Sequence, residues 1–189
     1  MRKSLVKTSK FLSLVLRHKP ETIDLKLDHG GWACVDELKQ KSASAKVQLT
    51  DEILTEIVET NDKRRFIFSV DGRRIRANQG HSISVDLGLT PISPPSNLFH
   101  GTAIRFLTSI RKSGLISGNR QYVHLSDNRT TAEKVGQRHG RVVVLRIDSK
   151  SMSKDGFFFF RSENNVWLID RVPAKYLIYP ETIYPRFGS

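Results

Sequence analysis

The chain of 189 residues predicts a mixed α+β protein of two lobes. Three features carry that expectation. Helical periodicity recurs three times before residue 60 and then gives way to a hairpin pattern. Prolines cluster next, at Pro91, Pro94 and Pro95. Beyond them, strand-like runs alternate with short helical ones, which is the pattern of a compact α+β domain.

Residues 4–18 form the first predicted helix, with Leu5, Leu12, Val15 and Leu16 on one face and Pro20 just past the end. Arg17 and His18 fall in its last turn, where cations also suit the helix dipole. A short helix is expected at Val35–Lys41, after the His29-Gly30-Gly31-Trp32 turn. Thr50 caps the third, with Asp51 and Glu52 in its first turn and Ile53, Leu54, Ile57 and Val58 as its buried stripe. Arg65–Val70 and Arg73–Ala77 read as a hairpin joined at Asp71-Gly72. Three helices followed by a hairpin is the layout of a winged-helix module, and this hairpin is rich in Lys63, Arg64, Arg65, Arg73, Arg74 and Arg76.

Clustered prolines can continue neither a helix nor a central strand. Residues 91–96 are therefore expected to link a lobe at 1–90 to one at 97–189. In the second lobe the expected order is a strand ending at His100, a helix at Ala103–Lys112 with Gly114 as C-cap, and a strand at Tyr122–Ser126. A helix at 128–138 opened by Asp127 or Asn128 follows, then a core strand at Arg141–Asp148. Gly156–Phe160 and Val166–Ile169 close the lobe as a strand pair.

Lysine and arginine outnumber aspartate and glutamate 31 to 19, a net charge of +12. The excess is spread through foldable sequence (16 basic against 12 acidic residues before position 91, 15 against 7 after it), so it is not a basic tail. An anionic partner, nucleic acid or a phosphorylated small molecule, fits such a surface. The one cysteine, Cys34, excludes an intramolecular disulfide and a thiolate zinc site, and is expected to be a small buried hydrophobe. No apolar run reaches the ~18 residues of a membrane span and no signal-peptide pattern opens the chain, so a cytoplasmic protein is expected.

The dinucleotide loop G-x-G-x-x-G, the phosphate loop G-x-x-x-x-G-K-[ST], the G-x-S-x-G elbow and H-E-x-x-H are all missing. No metal site is expected. What remains is arginine beside histidine: Arg17-His18, Arg76-Ala-Asn-Gln79-Gly-His81-Ser82 and Arg138-His139, with His100-Gly101-Thr102 and Val-His124-Leu-Ser126 between them. Guanidinium grips phosphate bidentately, and imidazole moves a proton near neutral pH. Together they suit phosphate chemistry without a metal.

In this order, Leu-Ser-Leu-Val-Leu-Arg17-His18-Lys19, Asn61-Asp-Lys-Arg-Arg-Phe66, Ile-Arg76-Ala-Asn-Gln-Gly-His81-Ser, Phe-His100-Gly-Thr, Val-His124-Leu-Ser, Val-Gly-Gln-Arg138-His-Gly and Ser162-Glu-Asn-Asn-Val-Trp167 resemble the RNA 2′-phosphotransferase family. The resemblance runs from about residue 8 to about residue 178. It implies a winged-helix RNA lobe followed by an ADP-ribosyltransferase-like lobe. It also implies a catalytic set of Arg17, His18, Arg76 and Arg138, with Lys19 and Gln79 joining Arg17, His18 and Arg76 on the RNA phosphate. His100, Gly101, Thr102, His124, Ser126 and Val166 would hold NAD, the consumed co-substrate. Val166 stands where many relatives of that fold carry a catalytic glutamate, which disfavours protein ADP-ribosylation. Two positions depart from the family pattern: Asn165 for a glycine and Phe99 for a tyrosine.

The chemistry implied by the resemblance has two steps. The RNA 2′-phosphate displaces nicotinamide from C1″ of NAD, giving a 2′-phospho-ADP-ribosylated RNA. The ribose O2″ then attacks that phosphate, releasing 2′-OH RNA and ADP-ribose 1″,2″-cyclic phosphate. The RNA would be of the tRNA splice-junction type, with RNA repair an alternative role, and the enzyme is expected to be monomeric. Two other readings stay open: an ADP-ribosyltransferase that caps nucleic-acid phosphates, and a non-catalytic winged-helix RNA-binding module.

Overall fold

The computed structural model describes residues 3–60 and 64–181. The chain divides into two compact units. One holds the residues up to Leu89 together with Asn119–Gln121, and the other holds Thr90–Gly118 and the chain from Tyr122 onward. Among the described residues, no helix is long and apolar enough to cross a membrane.

The first unit contains α1 (Lys3–Arg17), β1 (Ala33–Cys34), α2 (Val35–Ser44), α3 (Asp51–Glu59), β2 (Phe66–Phe68) and β3 (Arg74–Ala77). The strands form an antiparallel sheet in the order β1-β3-β2, with Ala33 opposite Ile75 and Ile67 opposite Arg76. The apolar stripes of the helices meet that sheet: Leu12, Val15, Leu16, Leu38, Leu54, Ile57, Phe66 and Ile75 are buried in one cluster. Each such side chain contributes about 1.5–3 kcal/mol on burial. Thr50 caps α3 as the sequence predicts, its hydroxyl accepting the Ile53 N–H at 3.3 Å.

Three expectations shift here. α2 runs on to Ser44, three residues beyond the predicted end. β2 stops at Phe68, because the turn begins at Ser69, whose carbonyl accepts the Gly72 N–H. Cys34 is exposed. It follows buried Ala33 on β1, and alternate strand residues point to opposite faces. The predicted motif residues 61–63, Lys63 among them, lie outside the described residues.

The second unit carries β4 (Leu98–Ala103), α4 (Leu107–Ser113), β5 (Leu115–Ile116), β6 (Val123–Leu125), α5 (Arg129–Gly136), β7 (Val142–Ile147), α6 (Ser149–Lys154), β8 (Phe160–Arg161), β9 (Trp167–Ile169), β10 (Arg171–Val172) and β11 (Leu177–Ile178). They build small antiparallel sheets in the orders β11-β7-β4, β6-β9-β8 and β10-β5. β4 and β7 pair along six residues, from Leu98 opposite Ile147 to Ala103 opposite Val142. Leu98, Leu145, Ile147, Met152 and Phe159 lie in the core.

The expected helix at 103–112 begins as a 3-10 turn at Ile104–Phe106, and Gly114 closes it with φ +75°. α5 is capped by Asn128, whose side chain accepts the Thr131 N–H at 2.9 Å, and it gives way at Gln137–His139 to a 3-10 turn. The proline segment is strapped to this unit by hydrogen bonds from Ile92 N–H to the Phe159 carbonyl (2.8 Å) and from Ser149 Oγ to the Pro95 carbonyl (2.6 Å).

Gly101 and Gly136 explain how α5 sits on β4. A Cβ on Gly101 would lie 1.8 Å from the Ala132 carbonyl oxygen, and one on Gly136 would lie 2.8 Å from the Gly101 carbonyl carbon. Backbone rests on backbone there, and only glycine permits it.

Candidate active site

In the first unit, the end of α1 delivers Arg17 and His18 to the sheet. The Arg17 guanidinium donates from Nη2 to the Arg65 carbonyl at 3.2 Å and lies 5.7 Å from the Phe66 ring centroid. Among the described residues, its Nε is buried without a partner. Burial, with the Arg65 and Arg120 charges, pushes its pKa down to about 10, so it stays cationic at neutral pH.

His18 is fixed by Ser82. Its Nδ1 and the Ser82 hydroxyl are hydrogen-bonded at 2.9 Å, while the Ser82 N–H donates to the Arg17 carbonyl at 2.9 Å. Burial first, then the charges of Arg17 and Arg120, hold the imidazole below its ordinary range. The ring is therefore mostly neutral at pH 7, with Nε2 left to meet a reacting group.

Arg76 stands on β3, where it faces Ile67 of β2. Its guanidinium stacks 4.5 Å from the Trp32 ring centroid and reaches the Gly30 carbonyl at 3.5 Å, a long contact. Arg76 Nε and Gln79 Oε1 are also buried without partners among the described residues. His81 is 1% exposed, and both of its ring nitrogens lack a hydrogen bond among the described residues. Burial, with the charges of Arg17, His18 and Arg76, pushes its pKa down to about 4. Lys19 is exposed beside the group.

Unpartnered buried polar groups, donor or acceptor, cost roughly 1–3 kcal/mol each and mark a place where a ligand or water belongs. The fixed charges weighing on Arg17, His18 and His81 are those of arginines: Arg65 and Arg120 on Arg17, Arg17 and Arg120 on His18, and Arg17 and Arg76 on His81. Such a cluster is unfavourable alone and favourable around a dianion.

The second unit gathers another polar set. His100 on β4 is tied through Nδ1 to the His124 carbonyl at 3.0 Å, and Phe99 and Ser126 exchange backbone hydrogen bonds of 2.7 and 2.9 Å. This joins β4 to β6 and brings His100, His124 and Ser126 together. Ser126 Oγ also accepts the Asn128 N–H at 3.0 Å. Thr102 and Gly101 are buried farther along β4. For Gly101, the packing of α5 accounts for the missing side chain.

Val166 ends a tight turn built on Ser162, whose hydroxyl accepts the Val166 N–H at 3.1 Å. Asn165 takes φ +62° in that turn, a left-handed conformation that asparagine tolerates. Arg138 is exposed in the 3-10 turn after α5.

Sequence reasoning gave no role to Ser82, Trp32 or Arg120. Ser82 lies inside a quoted motif, but nothing in the motif says that its hydroxyl faces His18. Arg120 has no motif of its own; only the fold returns it to Arg17 and His18.

Among protein families, the RNA 2′-phosphotransferase, Tpt1/KptA family model matches residues 3–171. A "Probable RNA 2′-phosphotransferase" of Acaryochloris marina is 54% identical over 181 residues, covering 96% of this chain and all of that protein. Proteins of the same description from Hahella chejuensis (52% identical, 96% of this chain and 98% of that one) and Agrobacterium fabrum (55%, 90% and 91%) are similar over nearly their whole length. With that coverage, the chain belongs to the RNA 2′-phosphotransferase, Tpt1/KptA family.

Proposed function

We propose that this enzyme removes an internal 2′-phosphate from RNA by transferring it to the ADP-ribose part of NAD. The first unit serves as a winged-helix RNA lobe, and the second as an ADP-ribosyltransferase-like lobe that holds NAD. The observation that carries the reading is the cationic cluster of Arg17 and Arg76, whose buried Nε atoms lack partners, around a His18 held neutral.

In this reading Arg17 and Arg76 grip the 2′-phosphate, with Gln79 and Lys19 beside them. His18, held through Nδ1 by Ser82, presents Nε2 to take the proton of the ribose hydroxyl that attacks phosphorus. Arg138 offsets charge that builds on the phosphoryl oxygens in that second step. NAD supplies an electrophilic ribose carbon and a good leaving group. The set of His100, Gly101, Thr102, His124, Ser126 and Val166 suits its riboses and amide: it offers hydroxyl, imidazole and backbone groups and no carboxylate. The same reading has the enzyme act as a monomer in the cytoplasm.

Incubation with NAD and an internally 2′-phosphorylated oligoribonucleotide tests this directly. Release of nicotinamide, 2′-OH RNA and ADP-ribose 1″,2″-cyclic phosphate is expected. RNA that keeps an ADP-ribose adduct as the end product, or no turnover, would sink it. For Arg138→Ala, nicotinamide release should outpace the appearance of 2′-OH RNA; equal slowing of both would remove the role given to Arg138.

A further inference from the structure

The Gly30 carbonyl and the Trp32 ring, against which the Arg76 guanidinium lies, belong to one short turn at 28–32. That turn runs through Gly30 and Gly31, and Gly31 takes φ +75°. Two glycines in succession leave a backbone free to wander unless something pins it. Asp28 pins it. Its Oδ1 accepts the N–H groups of Gly30 and Trp32, each at 2.9 Å. Its backbone closes the same loop: the Asp28 carbonyl accepts the Gly31 N–H at 2.9 Å, and the Asp28 N–H donates to the Trp32 carbonyl at 2.9 Å.

The sheet supplies the rest. Ala33 pairs with Ile75 and Cys34 with Arg74, so Trp32 stands at the register position of Arg76. Register sets backbone beside backbone but does not aim an indole. With the Trp32 N–H turned onto Asp28, the indole lies 4.5 Å from the Arg76 guanidinium and 5.5 Å from that of Arg74. The second carboxylate oxygen, Asp28 Oδ2, accepts from Arg74 Nη1 at 3.3 Å. Those two side chains are 44% and 52% exposed, and an ion pair so open to water contributes little. The Oδ1 bonds, by contrast, set the shape of the turn itself.

We infer that Asp28 is a positioning residue for Arg76, acting through the Trp32 ring and the Gly30 carbonyl, and that its turn geometry rather than its charge carries the role. The inference rests on the proposed reaction, in which Arg76 grips the 2′-phosphate. Asp28 itself touches no reacting atom. It keeps a long, flexible guanidinium aimed before the phosphate arrives, so that less of the binding is spent on ordering the side chain.

Two substitutions separate turn from charge. Asp28→Asn keeps an acceptor oxygen at the same reach and loses the charge. Asp28→Glu keeps the charge, but its longer side chain misfits the two-residue loop onto the Gly30 N–H. kcat and KM are measured for each, and for the unsubstituted enzyme, with an internally 2′-phosphorylated oligoribonucleotide and with NAD. Asp28→Asn should stay within about 2-fold of the unsubstituted enzyme, while Asp28→Glu should raise KM for the RNA about 5-fold and leave KM for NAD alone. The reverse order, with Glu active and Asn impaired, overturns the role given to the turn. So does an Asp28→Glu enzyme whose two Michaelis constants rise together or stay unchanged. Combining Asp28→Glu with Trp32→Ala tests the route: the double variant should lose little more than Trp32→Ala alone, whereas losses that multiply overturn an action through Trp32. Absence of turnover by the unsubstituted enzyme fails the proposed reaction itself and takes the assignment with it.

Discussion

Ser82 holds His18 at both ends of a short bracket: its hydroxyl is 2.9 Å from His18 Nδ1, and its N–H donates to the carbonyl of Arg17. When the hydroxyl donates to Nδ1, the proton of the neutral ring sits on Nε2; when Nδ1 donates, Nε2 is free to accept one. A base at Nε2 needs the second arrangement, and a hydroxyl can supply either. Ser82→Ala removes that anchor while keeping the backbone bond. Turnover should fall about 10-fold with little change in the melting temperature, because Ser82 is exposed. An unchanged kcat would show that His18 needs no such anchor.

Arg76 depends on Trp32 for its aim. The guanidinium stacks at 4.5 Å, and Arg74 shares the same ring at 5.5 Å. Trp32→Phe should keep most activity, whereas Trp32→Ala should raise KM for the RNA several-fold and leave KM for NAD alone. Michaelis constants for the two substrates, measured separately, decide this.

His81 makes stability depend on pH. Its folded pKa of about 4 lies below the ordinary 6.5, so the unfolded chain binds the extra proton first as pH falls. The stability is present above about pH 6.5 and is lost on the way down to pH 4. The displacement corresponds to roughly 3 kcal/mol in total. Urea unfolding at pH 7, 6 and 5 should show that decline, and His81→Gln should flatten it. Parallel declines in both proteins would assign the effect to other groups.

Gly101→Ala should damage the second unit more than its size suggests. The added methyl would meet the Ala132 carbonyl oxygen at 1.8 Å, and backbone must move to admit it. A loss of about 3 kcal/mol or more is expected, seen as a lower melting temperature or insoluble protein. Thr108→Ala, at an exposed position on α4, serves as the control and should melt within a degree or two of the parent.

Local chemistry was the legible part of this chain. The first helix to within a residue of its end, the Thr50 cap and the Gly114 terminus each depend on a few neighbouring residues and were readable from them, while the α5 cap stayed open between Asp127 and Asn128 until the fold chose Asn128. The two-residue strands β1, β5, β10 and β11 were not, since two residues cannot show an alternation and their partners lie far along the chain. α6 was missed because Ser149–Lys154 carries a single buried apolar side chain, Met152, and is announced only by its Asp148 cap. Among the candidate site residues, the motifs named Arg17, His18, Arg76 and Gln79. Three-dimensional facts, such as Trp32 beneath Arg76 or Arg120 beside Arg17, had no local signature.

The return of Asn119–Gln121 to the first unit sets an order of events during synthesis. A nascent chain that has passed Leu89 already holds α1 to β3, but its His81 and Val85 carbonyls still await Gln121. The first unit therefore finishes only after β4, α4 and β5 have left the ribosome. A gene fragment cut at the proline cluster would express a lobe missing its last strut. Supplying residues 119–121 through a short engineered loop is the natural repair.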